Sequence, residues 1–257
     1  MKSVLITGAA RRLGRGMAVG FARRGWHVFA HYNTSVDDAR TLAGEIDSLG
    51  GSVTLVNADL NTADGARGLV ADCVADGRLD CVINNASVFE YDFPGEHNDN
   101  TWRDAMNVNL HAPVIVSEEF FIYARGHDIP GCIINMLDNK VFALNPDFFS
   151  YTVAKAGLLA ATKMMAMGFD PHVRVCGIAP GITLISGDQS EDNFAGTHAI
   201  NPLNKGCSVD DIVRGALFIA DGPYSTGQVL TLDGGQVLMQ LPRDVAFLEP
   251  EFRNDAK

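Results

Sequence analysis

Seven short runs of β-branched and apolar residues recur along this chain, with stretches of helical periodicity between them. Ser3–Thr7, His27–Tyr32, Ser52–Asn57, Leu79–Asn84, Gly131–Leu137, Val173–Ile178 and Gln228–Leu232 read as strands. Most are continuously apolar rather than alternating, the pattern of strands covered on both faces. Leu13–Arg24, Val36–Leu49, Thr62–Ala75, Thr101–Ala124, Phe149–Met167 and Ser208–Ala220 read as helices. Strand alternating with helix leaves few solutions. Right-handed crossovers make the sheet parallel and put helices on both faces, a doubly wound α/β fold of about seven strands.

No Pro- or Ser-rich linker divides the 257 residues, so one Rossmann-type domain is expected over 1–241, followed by a polar tail over 242–257. Phe247, Leu248 and Phe252 are candidate anchors for that tail, which docks on a neighbouring subunit or frays. Residues 183–204, rich in Gly, Asp, Asn and Ser, read as an irregular connection. It is long for a compact domain, and such segments commonly cover a site.

Composition excludes several functions. A net charge of −11 argues against nucleic-acid binding. No apolar run approaches the ~18–20 residues of a membrane span. A soluble cytoplasmic protein is expected. The five cysteines are scattered without metal or redox-pair spacing and read as buried free thiols. No two of the seven histidines pair at a ligand spacing, so no metal is expected. Met164, Met165 and Met167 suit a helix core or a subunit interface. Residues 1–36 carry Lys2, Arg11, Arg12, Arg15, Arg23 and Arg24 and no acid, a local +6 in an acidic protein. That asymmetry points to a small anionic ligand near the N-terminus, or to a basic helix face paired with acids elsewhere.

The first strand empties into Thr7-Gly8-Ala9-Ala10-Arg11-Arg12-Leu13-Gly14. A glycine-rich turn there lets backbone approach a pyrophosphate, and the next helix contributes N–H groups and a positive dipole end. Arg12 stands where glycine is common. The second strand ends His31-Tyr32-Asn33, with no carboxylate for a ribose 2′-hydroxyl. Arg12 with the polar His31, Asn33 and Ser35 suits a 2′-phosphate, hence NADPH/NADP+ over NAD(H). Asp59 is placed for an adenine amino group or as a helix N-cap. Asn84-Asn85-Ala86 ends the fourth strand, at the edge where such sheets bind ligands.

Downstream stands Asp138-x12-Tyr151-x3-Lys155. Tyr and Lys at i and i+4 share a helix face, and an ammonium beside a phenol favours the phenolate. A group with a pKa of about 10 then exchanges protons near neutrality, as a general acid must.

With these residues in place, the chain resembles the short-chain dehydrogenase/reductase family over nearly its whole length. The match runs through Thr7-Gly8…Gly14, Asn84-Asn85-Ala86, Asn107-Val108-Asn109, Tyr151-x3-Lys155, Pro180-Gly181 and Asp233-Gly234-Gly235. Within the family it is similar to the pteridine reductases and bacterial dihydromonapterin reductases. Gly8-Ala9-Ala10-Arg11-Arg12-Leu13-Gly14, His31-Tyr32, Phe89 after Asn85-Ala86-Ser87, and Asp138 in place of the family's Ser carry that similarity.

The resemblance implies roles. Phe89 would stack on a pterin ring, Arg12 would serve both cofactor phosphate and pterin, and Asp138 would work with Tyr151 in protonating a ring nitrogen. Ser87 would join the substrate site. Lys155 would hold the nicotinamide ribose and stabilise the phenolate, and Asn109 would position a water linking Lys155 to solvent. Cofactor contacts would extend over Gly8, Arg11, Leu13, Gly14, Tyr32, Asp59, Leu60, Asn85, Ala86, Ser87, Tyr151, Lys155, Pro180 and Gly181. The helices over 101–124 and 149–167 resemble those that build homotetramers in this family.

Ketone reduction is served by a Ser hydroxyl at the developing alkoxide. Reducing a pterin C=N bond puts the proton on nitrogen, where a carboxyl can accept or donate. Reduction of a dihydropterin, dihydromonapterin or dihydrofolate-like ring is therefore expected. A carbonyl reductase or alcohol dehydrogenase, and a slow NADP(H)-binding sensor, are the alternatives.

Overall fold

The computed structural model describes residues 1–75, 77–169, 171–185, 189–222 and 225–248. Strands β1 (Ser3–Ile6), β2 (His27–Tyr32), β3 (Ser52–Asn57), β4 (Cys81–Asn84), β5 (Gly131–Met136), β6 (Val173–Pro180) and β7 (Val229–Leu232) form one sheet. Its order is β3-β2-β1-β4-β5-β6-β7, and every pair is parallel. Helices α1 (Arg12–Arg23), α2 (Val36–Ser48), α3 (Ala63–Ala75), α4 (Asp99–Met106), α5 (Ala112–Gly126), α6 (Phe149–Gly168), α7 (Glu191–Thr197) and α8 (Val209–Asp221) complete it. The expected single-domain, doubly wound α/β fold is the observed one.

Two apolar layers flank the sheet. Val4, Ile6 and Ala30 pack with Met17 and Phe21 of α1 and Ile212 of α8, whereas Leu5 and Phe29 pack with Leu69 of α3 and Phe120 of α5. Alternate residues of one strand thus enter opposite layers, which is why the strands are continuously apolar. Fully buried Phe21, Phe29 and Phe120 each contribute about 1.5–3 kcal/mol of burial. Met165 lies in the second layer, while Met164 and Met167 are exposed.

Three expectations need correction. The single helix over 101–124 is divided: α4 and α5 are joined by a π-helical turn, Asn107–His111. The cause lies in Pro113, in the first turn of α5. Lacking an N–H, it cannot donate to the carbonyl four residues back, that of Asn109. Ala112 N–H bonds Asn107 O instead, a π-type link. Residues 183–204 are not wholly irregular, because α7 forms there, capped by the Ser190 side chain on Asn193 N–H. Residues 186–188 of that segment lie outside the described residues, as do 249–257 with Phe252.

Of the tail, 242–248 is ordered against the body. Val245 and Leu248 are buried with Ile200, and Phe247 meets Tyr91 edge-on at 5.1 Å. No helix among the described residues is long and apolar enough to cross a membrane.

The topological consequence is a switch point. The chain leaves β1 toward β2 and β3, and leaves β4 toward β5, β6 and β7. The crevice beyond the carboxyl ends of β1 and β4 is where open α/β sheets bind ligands.

Candidate active site

A cavity of about 900 Å³ opens at that crevice. All the residues expected at the site line it except Lys155 and Asn109, which are buried.

Thr7 ties the two halves of the floor together. Its Oγ1 accepts from Asn85 N–H at 2.8 Å and Ala86 N–H at 2.9 Å, while Asn85 Nδ2 donates to Thr7 O at 2.8 Å. Gly8 has φ +64°, and a Cβ there would meet Ala86 Cα at 3.0 Å. A Cβ on Gly14 would overlap the Gly8 carbonyl oxygen. The turn tolerates no side chain at either position.

Arg12 opens α1 with φ +53°, the left-handed region that makes glycine common at this position. Its Nη1 donates to Ile185 O at 2.6 Å, linking the turn to the segment after β6. The first turn of α1 holds no acid and no side-chain cap, so its N–H groups suit an anion.

The basic N-terminal segment is largely neutralised by local acids. Arg11 pairs with Asp38 and Arg15 with Glu45, each at 2.5 Å, and Lys2 and Arg24 reach Asp221. The +6 asymmetry in sequence is mostly a set of α1–α2 and α1–α8 ion pairs.

His31 also departs from expectation. It is buried, its Nδ1 accepts from Gly8 N–H at 3.0 Å, and Nε2 faces Ala58 O at 3.1 Å. Only the neutral Nε2–H tautomer satisfies both contacts, and burial holds its pKa below the ordinary value. His31 therefore braces the glycine-rich turn and presents no charge to a phosphate. Tyr32, Asn33 and Ser35 line the same end, and Asn33 Nδ2 donates to Asp59 Oδ1 at 3.3 Å. Asp59 is not the N-cap of α3. Its carboxylate accepts from Asn61 N–H, and Thr62 Oγ1 accepts from Gly65 N–H at the helix start.

At the other end, Tyr151 Oη donates to Asp138 Oδ2 at 2.8 Å. Asp138 Oδ1 accepts from Lys140 N–H at 2.9 Å, capping the 3-10 turn Asn139–Phe142. Burial raises the Asp138 pKa, partly offset by the hydrogen bonds from Lys140 N–H and Tyr151 and by the Lys140 charge. Burial, then the Asp138 charge, pushes Tyr151 well above the ordinary phenol range. Lys155 Nζ donates to Met136 O at 2.7 Å and lies 5.7 Å from the Tyr151 ring centroid. Burial pushes its pKa down to about 8. The expected lysine-stabilised phenolate is thus absent: Tyr151 keeps its proton and aims it at a carboxylate.

Asn109 sits in the π turn with both amide atoms on the Val88 backbone, each at 2.9 Å. It fixes the loop that carries Ser87 and Phe89. The Phe89 ring meets Tyr151 edge-on at 4.7 Å and stacks on Phe148 at 4.1 Å.

Several site residues had no signal in the sequence reading. Lys140, buried, pairs with Asp244 at 3.2 Å, and Arg243 binds the fully buried Asp147 side chain at 2.6 Å. Burial alone would raise Asp147, but Arg243 and Asp244 N–H hold it below the usual carboxylate range. These pairs bring residues 243 and 244 of the tail into the cavity wall. The adjacent Arg243-Asp244, opposite in sign to Asp147 and Lys140, was the available clue.

A glycine-rich turn at the switch point of a parallel sheet, with a Tyr–Lys pair on the helix beside it, defines the nucleotide-dependent α/β oxidoreductases. The short chain dehydrogenase family matches residues 2–193, and the chain belongs to that family. A 3beta-hydroxysteroid dehydrogenase of Eggerthella lenta is 29% identical, covering 92% of this chain and 94% of its own length. The crystal structure of a Brucella canis FolM alternative dihydrofolate reductase, complexed with NADP, superposes with TM-score 0.85 at 35% identity, over 92% of this chain and 94% of that one. A Sinorhizobium meliloti short-chain alcohol dehydrogenase structure (TM-score 0.86, 23% identity, 92% and 96% covered) shares the fold.

Proposed function

We propose that this oxidoreductase reduces a pterin ring with NADPH. The observation that carries the reading is the 2.8 Å Tyr151–Asp138 hydrogen bond beside the Phe89 ring, within one cavity. The NADP complex of the Brucella FolM reductase supports the same choice of cofactor and substrate class.

The cradle fits the cofactor. Gly8 and Gly14 leave room for a pyrophosphate against the α1 N-terminus, and Arg12 stands beside it for a 2′-phosphate. NADPH, when bound, supplies the hydride. The chain's own groups do the rest. Phe89 orients a flat ring, and Tyr151, protonated at neutral pH, presents its proton at Oη. Asp138 orients that hydroxyl and, because burial raises its pKa, exchanges protons with it at modest cost. The two titrate as a pair. Lys155, charged below about pH 8, holds the ribose side. Such acid–base assistance supplies roughly 10²–10⁴-fold, and stacking and orientation supply more.

The resemblance to the Eggerthella dehydrogenase favours a second reading, reduction of a ketone or oxidation of a secondary alcohol. In that case Asp138 stands where a hydroxyl would serve better. Assaying purified protein and NADPH against dihydropterins, dihydrofolate and a panel of ketones and steroids separates the two. Turnover with pterins supports the first. Turnover confined to ketones or steroids overturns it.

Exposed Ile122, Met164 and Met167 on α5 and α6 support a homotetramer built on those helices. Sedimentation at a monomer mass would refute it.

A further inference from the structure

Phe148 has φ +53° and ψ +54°, a left-handed conformation that a bulky side chain rarely adopts. Such strain persists only where the surroundings fix the backbone on both sides. Here they do. Before it, the buried Asp147 carboxylate is gripped by Arg243 Nε at 2.9 Å, Arg243 Nη2 at 2.6 Å and Asp244 N–H at 2.7 Å. After it, Phe149 N–H donates to Asp92 O at 3.2 Å and Ser150 N–H to Asp92 Oδ1 at 2.9 Å.

The ring that results stacks on Phe89, with centroids 4.1 Å apart and planes 19° from parallel. Tyr91 meets it edge-on at 5.3 Å, and Lys140 Nζ lies 5.1 Å from its centroid. Phe89 itself rides on residues 85–93, which form neither helix nor strand. Without a partner, that ring would be free to turn about two side-chain torsions.

We propose that Phe148 is a positioning and specificity-determining residue for a flat heteroaromatic substrate: its strained backbone sets its ring against Phe89 and fixes the tilt of the stacking surface. The inference rests on the pterin reading and adds a residue to it. Phe148 acts through Phe89, so its removal changes substrate affinity more than turnover.

Three variants test it: Phe148→Ala, Phe148→Gly and Phe148→Tyr, assayed with NADPH and a dihydropterin. Losing an aromatic pair predicts that Ala and Gly raise the pterin KM about tenfold, with kcat and the NADPH KM within about twofold. Tyr keeps the ring and restores the wild-type KM. Because glycine relieves the left-handed strain, Phe148→Gly melts above Phe148→Ala, the reverse of the usual order. Unchanged pterin KM in the Ala and Gly variants, or Ala melting above Gly, overturns the inference while pterin turnover by the wild type stands. Wild-type protein without pterin turnover overturns the functional reading and takes this inference with it.

Discussion

Tyr151 gives its hydrogen bond to Asp138 at 2.8 Å, while Lys155, one helical turn along, gives its own to Met136 O at 2.7 Å. The phenol is therefore governed by the carboxylate rather than by the amine. That arrangement separates proton delivery, at the cavity wall, from the cationic group buried behind it.

Replacing Asp138 by Asn is expected to lower pterin turnover by roughly 10²–10³-fold, the usual worth of an acid–base group. Stability moves the other way. A raised pKa means the native state holds more protons than the unfolded one between pH 3.8 and the folded value. Wild-type stability thus falls as pH rises through that window. The Asn variant escapes this loss. It should melt above wild type at pH 7 and lose the advantage in strong acid.

Lys155 sets the alkaline limit. Its folded pKa of about 8 lies below the ordinary 10.5, so the native state holds fewer protons than the unfolded one between those values. Its burial cost is present at neutral pH and is relieved as pH climbs through that interval. In the free enzyme kcat/KM should fall above about pH 8. Lys155→Met should abolish that limb with the activity, yet gain on the order of 1–2 kcal/mol at pH 7 by urea unfolding. A variant less stable than wild type at neutral pH would contradict this.

His31→Ala leaves the Gly8 N–H without its acceptor. An unsatisfied buried donor costs about 1–3 kcal/mol, so NADPH affinity should fall roughly ten- to hundredfold with kcat little changed. Fluorescence titration of NADPH measures the first and saturating assays the second. Because His31 is neutral, lowering pH should not strengthen NADPH binding through it.

Arg12→Gly removes a left-handed arginine and its bond to Ile185 O. Thermal stability should hold or rise slightly, since glycine adopts this backbone without the ~1 kcal/mol penalty. The ratio of kcat/KM for NADPH over NADH should drop at least about tenfold, the loss of one charge-assisted contact. An unchanged ratio would remove Arg12 from phosphate recognition.

Sequence revealed the fold because its signals are local. Continuous β-branched runs and amphipathic stretches mark strands and helices wherever they occur, and parallel topology follows from their order. The floor was legible too, since Gly8 and Gly14 answer to backbone geometry. The π turn needed Pro113 to be weighed against an otherwise helical pattern. The roles of His31 and the basic segment were misread because a partner's identity is not a local property: Asp38, Glu45 and Ala58 come into range only on folding. Phe148 and the Arg243–Asp147 pair were invisible for the same reason.

Asp147 and Arg243 stand 96 positions apart, so their union closes a long stretch of chain and is slow to form by loop-closure entropy. The floor between β1 and β4 needs no such late arrival. Assembly of binding competence is thereby staged, nucleotide first and aromatic partner surface afterwards. Partial opening reverses the order: release of residues 241–248 would dismantle the wall around Phe148 and leave the nucleotide cradle standing.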